Sequence, residues 1–223
     1  MILMIARVRL PRRPPGAPPP VGRALRDGLG YARRHPVIAP SLVLVAVMSV
    51  FGFPYIILLP ALARDTLHLD ATGLGYLMAA IGAGAVTSGL GLSAVGDLPR
   101  KDLAAGGCAI AFGLALCGMA LVHTMPATML LLFVMGVLQT VAVASLNTTI
   151  QTVVHDGMRG RVMSMMTVIL FGFTTVGALG IGFVGDRIGV PRALAGGGVV
   201  IALVATAVLA YAPALGGASG AGR

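Results

Sequence analysis

Between Val37 and Tyr211 the hydrophobic residues run in long blocks, and every charged side chain falls in a short gap between blocks. The gaps lie at Arg64–Asp70, Asp97–Asp102, His123, His155–Arg161 and Asp186–Arg192. They leave six uncharged stretches: 37–63, 71–96, 103–122, 124–154, 162–185 and 193–211. At about 1.5 Å of rise per residue, each stretch taken as one helix crosses a hydrocarbon layer of roughly 30 Å. A soluble core helix does not keep every face free of charge for so long. The pattern therefore predicts an all-α fold, an integral membrane bundle of six spans at 37–212.

Composition supports this. The chain is 57% hydrophobic and 10% charged, where soluble domains carry about 25% charged residues. In so apolar a chain, 32 glycines and 14 prolines indicate close helix packing and kinks, not disorder. The formal charge of +9 follows topology and forms no patch beside aromatic residues, so the expected partner is the lipid bilayer and not nucleic acid. Cys108 and Cys117 would lie about 13 Å apart on one helix, too far to pair, and are read as small packing residues. With no Trp, any aromatic belt falls to Tyr31, Tyr55, Tyr76 and Tyr211, the last pair near the ends of their runs.

Alternation of the spans puts thirteen Lys and Arg on the side of the N-terminus and three (Arg64, Arg187 and Arg192) on the other. By the positive-inside bias both termini are expected in the cytoplasm, with the N-terminal segment deciding the orientation. Met1–Leu10 is apolar but too short to span, and reads as the end of a preceding helix. Pro11–Pro20 reads as an extended linker. Gly22–His35 reads as a basic interfacial helix ending at Pro36, or else as a plain basic linker near anionic lipid. Ala214–Arg223 is small and Gly-rich and is expected to be disordered.

Pro54 lies well inside the first span and should kink it. The second span carries Gly75, Gly82, Gly89 and Gly96 at strict seven-residue spacing, about two helical turns. This stripe is expected to pack against a neighbouring helix; the alternative is a helix that bends there.

Enzyme chemistry finds little support. The chain has no Glu, no Asp inside a span, and all four histidines at span ends, so these spans hold no carboxylate or imidazole for a proton relay. Ser88 lacks a nucleophile motif, no H-E-x-x-H occurs, and the only Lys, Lys101, follows no phosphate-binding loop. No catalytic residue, metal or cofactor is expected. Uncharged polar residues remain. In span four, Gly136, Thr140, Ala144, Asn147 and Gln151 share one helix face, with Thr148 at its margin and Gln139 about 100° from Thr140. In span five, Thr167 and Thr174 stand seven apart. These faces turn inward, either to line a path for a small-molecule substrate (Thr140, Asn147, Gln151, Thr167, Thr174) or to hydrogen-bond helices together.

The loop His155-Asp156-Gly157-Met158-Arg159-Gly160-Arg161-Val162-Met163-Ser164 and the turn Gly182-Phe-Val-Gly185-Asp186-Arg187-Ile-Gly189 resemble the carboxy-terminal half of major facilitator superfamily transporters. The nearest likeness is the bacterial branch of enterobactin-exporter-like drug and siderophore exporters. Leu25–Pro36 resembles that branch's entry into its seventh span. The resemblance implies secondary active efflux across the bacterial cytoplasmic membrane by a twelve-span protein, of which this chain matches the second half. It also implies a partner, an amino-terminal six-span half or a second copy of the chain; a non-transporting scaffold subunit is the reading from another class. Conformational roles are implied for Asp97, Arg159, Arg161, Asp186 and Arg187. The family's acidic-basic loop departs here, since Leu98 follows Asp97 where the family has Arg.

Overall fold

The computed structural model describes the backbone of residues 21–96 and 101–211, and side chains over 28–96 and 103–210. The expected helix end at Met1–Leu10, the Pro-rich linker, Asp97 and the C-terminal tail lie outside the described residues. The described chain is an all-α bundle. Helix α1 (Val21–Arg34) precedes α2 (Ile38–Val47), a π-helical turn (Met48–Gly52) and α3 (Pro54–Asp65). Then follow α4 (Ala71–Val95), α5 (Lys101–Gly118), α6 (Met125–Val153), α7 (Asp156–Ile188) and α8 (Val190–Tyr211).

Local chemistry explains the boundaries. Asp70 caps α4, its Oδ1 accepting from the Gly73 amide at 2.8 Å, which satisfies one of the orphan donors of the first turn. Pro54 and Pro126 stand in the first turns of α3 and α6, where a missing N–H costs nothing. Gly189, at φ 90°, makes the sharp break between α7 and α8 in a conformation that side-chain-bearing residues avoid. The kink expected at Pro54 takes a specific form: the Phe53 amide bonds the Met48 carbonyl at 2.9 Å in a π-type turn. Pro54 then opens a new helix, because it has no N–H to continue the old ladder.

Two expectations about span limits change. Five helical rods have the length and apolarity to cross a membrane: 38–65, 71–95, 125–153, 156–188 and 190–210. The third run, 103–122, lies on the 18-residue helix α5, about 27 Å long. Its helix stops at Gly118, where residues 119–121 turn, and its described apolar part is Leu103–Gly118. The charged gap at His155–Arg161 is not a loop but the opening turns of α7, which is 33 residues and so about 50 Å long. Charges at a helix end reach the headgroup level without ending the helix.

Glycines govern the packing. Helix α4 lies along α6, α6 along α5, and α5 along α8, while α7 contacts the π-turn, α3, α8 and α1. Gly84 of α4 faces the Phe133 carbonyl of α6, and Gly136 of α6 faces the Ile81 carbonyl of α4. Between α5 and α8, Gly113 and Gly198 each face the other's carbonyl. Gly177 of α7 covers the Val50 carbonyl in the π-turn, a carbonyl whose usual helical donor would be the absent N–H of Pro54. A Cβ at any of these positions would collide with backbone; glycine allows the approach, with weak Cα–H···O contacts as a gain.

The expected packing stripe is not among these contacts. Gly75, Gly82, Gly89 and Gly96 are exposed, and a Cβ at each meets nothing within 4 Å. The face of α4 that packs is Gly73, Leu77, Ala80, Gly84 and Ser88. Both sets fit helical periodicity, and the alternation of small residues alone does not distinguish them. Tyr55 also departs from expectation. It is 1% exposed and stands in the core against Phe112, not in an interfacial belt. Tyr76, 54% exposed, keeps its outward place.

Candidate functional site: an uncharged cleft between four helices

A cleft of about 440 Å³ opens between α3, α4, α6 and α7. Its walls are Phe53 and Ile56 at the start of α3, Ile81 and Ala85 of α4, Leu170 of α7, and Gly136, Gln139, Thr140, Val143 and Ala144 of α6. The volume is in the range of small-molecule sites, and the lining is apolar with few polar groups, as in such sites generally. No ionisable residue lines it.

The geometry sorts the candidate path residues. Thr140 lines the cleft, with Gly136 and Ala144 one turn to either side on the same helix face. Its hydroxyl donates to the Gly136 carbonyl at 2.9 Å. Asn147 and Gln151 continue along α6 away from the cleft and bond to each other, Gln151 Nε2 donating to Asn147 Oδ1 at 2.8 Å. Thr167 is exposed and donates to the Met163 carbonyl at 3.0 Å. Thr174 donates to the Leu170 carbonyl at 2.6 Å, one turn beyond the cleft wall. None of these last four is among the cleft's lining residues. Nor do these hydroxyls join helices: each is satisfied on its own helix, the common habit of Ser and Thr inside spans.

Gln139 is the residue that helical periodicity placed aside and the fold brings in. The cleft spans two adjacent rows of α6, 136-140-144 and 139-143, with α3, α4 and α7 supplying the other walls. Behind the wall the buried Tyr55 hydroxyl donates to Gln139 Oε1 at 2.9 Å. Among the described residues this is the one side-chain to side-chain hydrogen bond between two spans. Its sequence signal was only a lone Gln at mid-span, costly in lipid and therefore in need of a partner.

The motif residues lie near the ends of α7. Arg159 pairs with Asp156 at 3.2 Å and reaches the Gln151 carbonyl at 3.4 Å, tying α7 to the end of α6. Arg161 Nη1 lies 3.6 Å from Met158 Sδ. Its Cβ is where a side chain on Gly28 of α1 would meet it, at 3.7 Å. The His155 amide donates to the Tyr31 hydroxyl at 3.4 Å, so α1 docks against this corner. At the other end Arg187 stacks over Phe183 at 4.4 Å, and Asp186 is exposed.

Apolar helices long enough to cross a bilayer, packed around an uncharged cleft, make this an integral, multi-pass membrane protein. The chain belongs to the transmembrane secretion effector family of major facilitator transporters, whose sequence profile matches residues 1–217. No curated protein and no solved structure matches the chain. Membership points to a membrane transporter.

Proposed function

We propose that this chain is the carboxy-terminal six-helix half of a secondary transporter that exports small, uncharged amphipathic compounds, drug-like or siderophore-like, across a bacterial cytoplasmic membrane. The observation that carries the reading is the open cleft between α3, α4, α6 and α7, apolar but for Gln139 and Thr140. A neutral ligand enters such a cleft without the large desolvation penalty of a buried charge. Helices α4 and α7, which flank the cleft, are the least buried of the long spans, at 17% of their apolar windows against 33–50% for the others. A second helical bundle facing them would close the cleft, and rocking of one bundle against the other would open it alternately to each side. Gly75, Gly82 and Gly89 on the open face of α4 would then let that bundle approach closely. Arg159, Arg161, Asp186 and Arg187 would act at the membrane surfaces as α7 tilts, with Asn147, Gln151, Thr167 and Thr174 further along the path than Thr140. In this arrangement both termini are cytoplasmic. Cysteines placed at Asp70 and Pro191 would be labelled from outside and one at Gly157 would not; the reverse pattern inverts the topology.

Protection from labelling tests the cleft. Thr140→Cys is introduced with Cys108→Ala and Cys117→Ala, the protein is placed in nanodiscs, and maleimide labelling is timed with and without Nile red, a neutral amphipathic dye. Labelling slowed severalfold by the dye is expected. An unchanged rate, while a cysteine at Asn147 is protected, would move the site along α6; no protection at either position would remove the cleft as a binding site.

A further inference from the structure

We propose that Gln139 is the specificity-determining residue of the cleft. Tyr55 holds its amide so that the Nε2 donors serve the ligand, selecting uncharged apolar molecules that carry a hydrogen-bond acceptor such as a carbonyl oxygen. The inference rests on the reading of the cleft as a ligand site, and names what that site selects.

Tyr55 is buried, and its hydroxyl bonds Gln139 Oε1. Among the described residues it has no other partner. A phenol has one hydrogen to donate. Turning the amide over would let Nε2 donate to the phenol oxygen, but it would strand the hydroxyl hydrogen in the core with no acceptor. That cost fixes the amide as it stands, with oxygen toward Tyr55 and nitrogen away. No described group accepts from Nε2, and Gln139 is a wall residue of the cleft. The other polar wall side chain, Thr140, has spent its hydrogen on the Gly136 carbonyl. The cleft's free side-chain donor is therefore the Gln139 amide, set among Phe53, Ile56, Ile81, Ala85, Val143 and Leu170.

A ligand that fills the cleft strips water from Nε2. With an acceptor it replaces that water; without one it leaves the donors unpaired. Sites built this way reject the analogue lacking the polar atom more strongly than they favour any extra methylene. A single neutral hydrogen bond corresponds to a preference of about fivefold. Tyr55 touches no ligand in this scheme and acts as a positioning residue, since without it the amide can rotate and present either end.

The matched probes are fluorenone and fluorene, two neutral tricycles of nearly equal shape in which a carbonyl replaces a methylene. Their affinities are measured by equilibrium dialysis of the full chain in nanodiscs against empty nanodiscs, which cancels partition into lipid. Fluorenone is expected to bind about fivefold more tightly than fluorene. Tyr55→Phe should shrink that ratio with fluorene affinity unchanged. The paired variant Tyr55→Phe with Gln139→Leu, which leaves neither polar group orphaned, should abolish it with the melting temperature nearly unchanged. If that pair fails to fold, Gln139→Met, close in volume, takes its place. Equal affinities in the unmodified chain, or a preference that survives loss of Gln139, would overturn the proposal while leaving the cleft as a ligand site. Binding of neither probe would overturn the cleft reading itself, and this inference with it.

Discussion

The glycines of this bundle divide into two populations that look alike along the chain. Gly84, Gly136, Gly177, Gly113 and Gly198 stand where a neighbouring backbone arrives, and no side chain could fit. Gly75, Gly82, Gly89, Gly172 and Gly180 stand on α4 and α7 facing open space. Within α4 the sealed Gly84 lies only two residues from the open Gly82. The sealed set holds the bundle together; the open set stands on the faces that the proposed function assigns to a second bundle. Glycine content therefore reports that helices approach closely, while the direction of approach is set by which neighbour has a carbonyl to offer.

The sharpest way to break this division is to fill it. Gly136→Leu and Gly177→Leu should each cost about 3 kcal/mol or more, because the neighbour is backbone and cannot swing aside. Thermal unfolding in detergent would reveal it as loss of a monodisperse, cooperative species. A melting temperature within a degree of the parent would show that the seams are not where the structure places them. Tyr55→Phe is next, at about 1 kcal/mol, the usual net worth of one internal hydrogen bond. The same melts measure it, and no change would mean that the Tyr55–Gln139 bond is not formed in the membrane. Asn147→Ala should cost less still, within about 0.5 kcal/mol, since its partner Gln151 is exposed. Fluorenone affinity in this variant should equal the parent's; a fall in affinity without a fall in stability would extend the site along α6 to Asn147. Smallest of all is Gly82→Leu or Gly89→Leu, expected to leave the stability of this chain unchanged because each side chain points into open space. Their effect should appear only as weakened association with a second bundle, read by crosslinking yield. Destabilisation of the isolated chain would restore the stripe as an internal seam and erase the distinction between the two populations.

Parts of the site were legible in residue order. The inward face of α6 at Gly136, Thr140 and Ala144 follows from 100° periodicity and the cost of showing polar groups to lipid. The kink near Pro54 follows from the missing N–H. Gln139 was not legible, because one helix seen alone puts it beside the polar face and only the walls that α3, α4 and α7 add bring it into the cleft. Tyr55 was misplaced for a related reason. A tyrosine in an apolar run suits a membrane interface equally well, and its burial depends on finding Gln139, 84 residues away.

By itself the sequence determined that this is an apolar helical bundle in a membrane, that Pro54 breaks its first span, and that its charges gather toward the ends of the apolar runs. Those properties come from local terms: the cost of unsatisfied backbone and of charge in hydrocarbon, and the dihedral limits of proline and glycine. Tertiary structure alone decided which glycines are seams, that α7 begins within the charged gap at His155–Arg161, and that Tyr55 and Gln139 meet. Those outcomes depend on which faces of separate helices come together. In a chain where nearly every face is apolar, hydrophobicity no longer ranks the faces, and close packing and one buried hydrogen bond select among them.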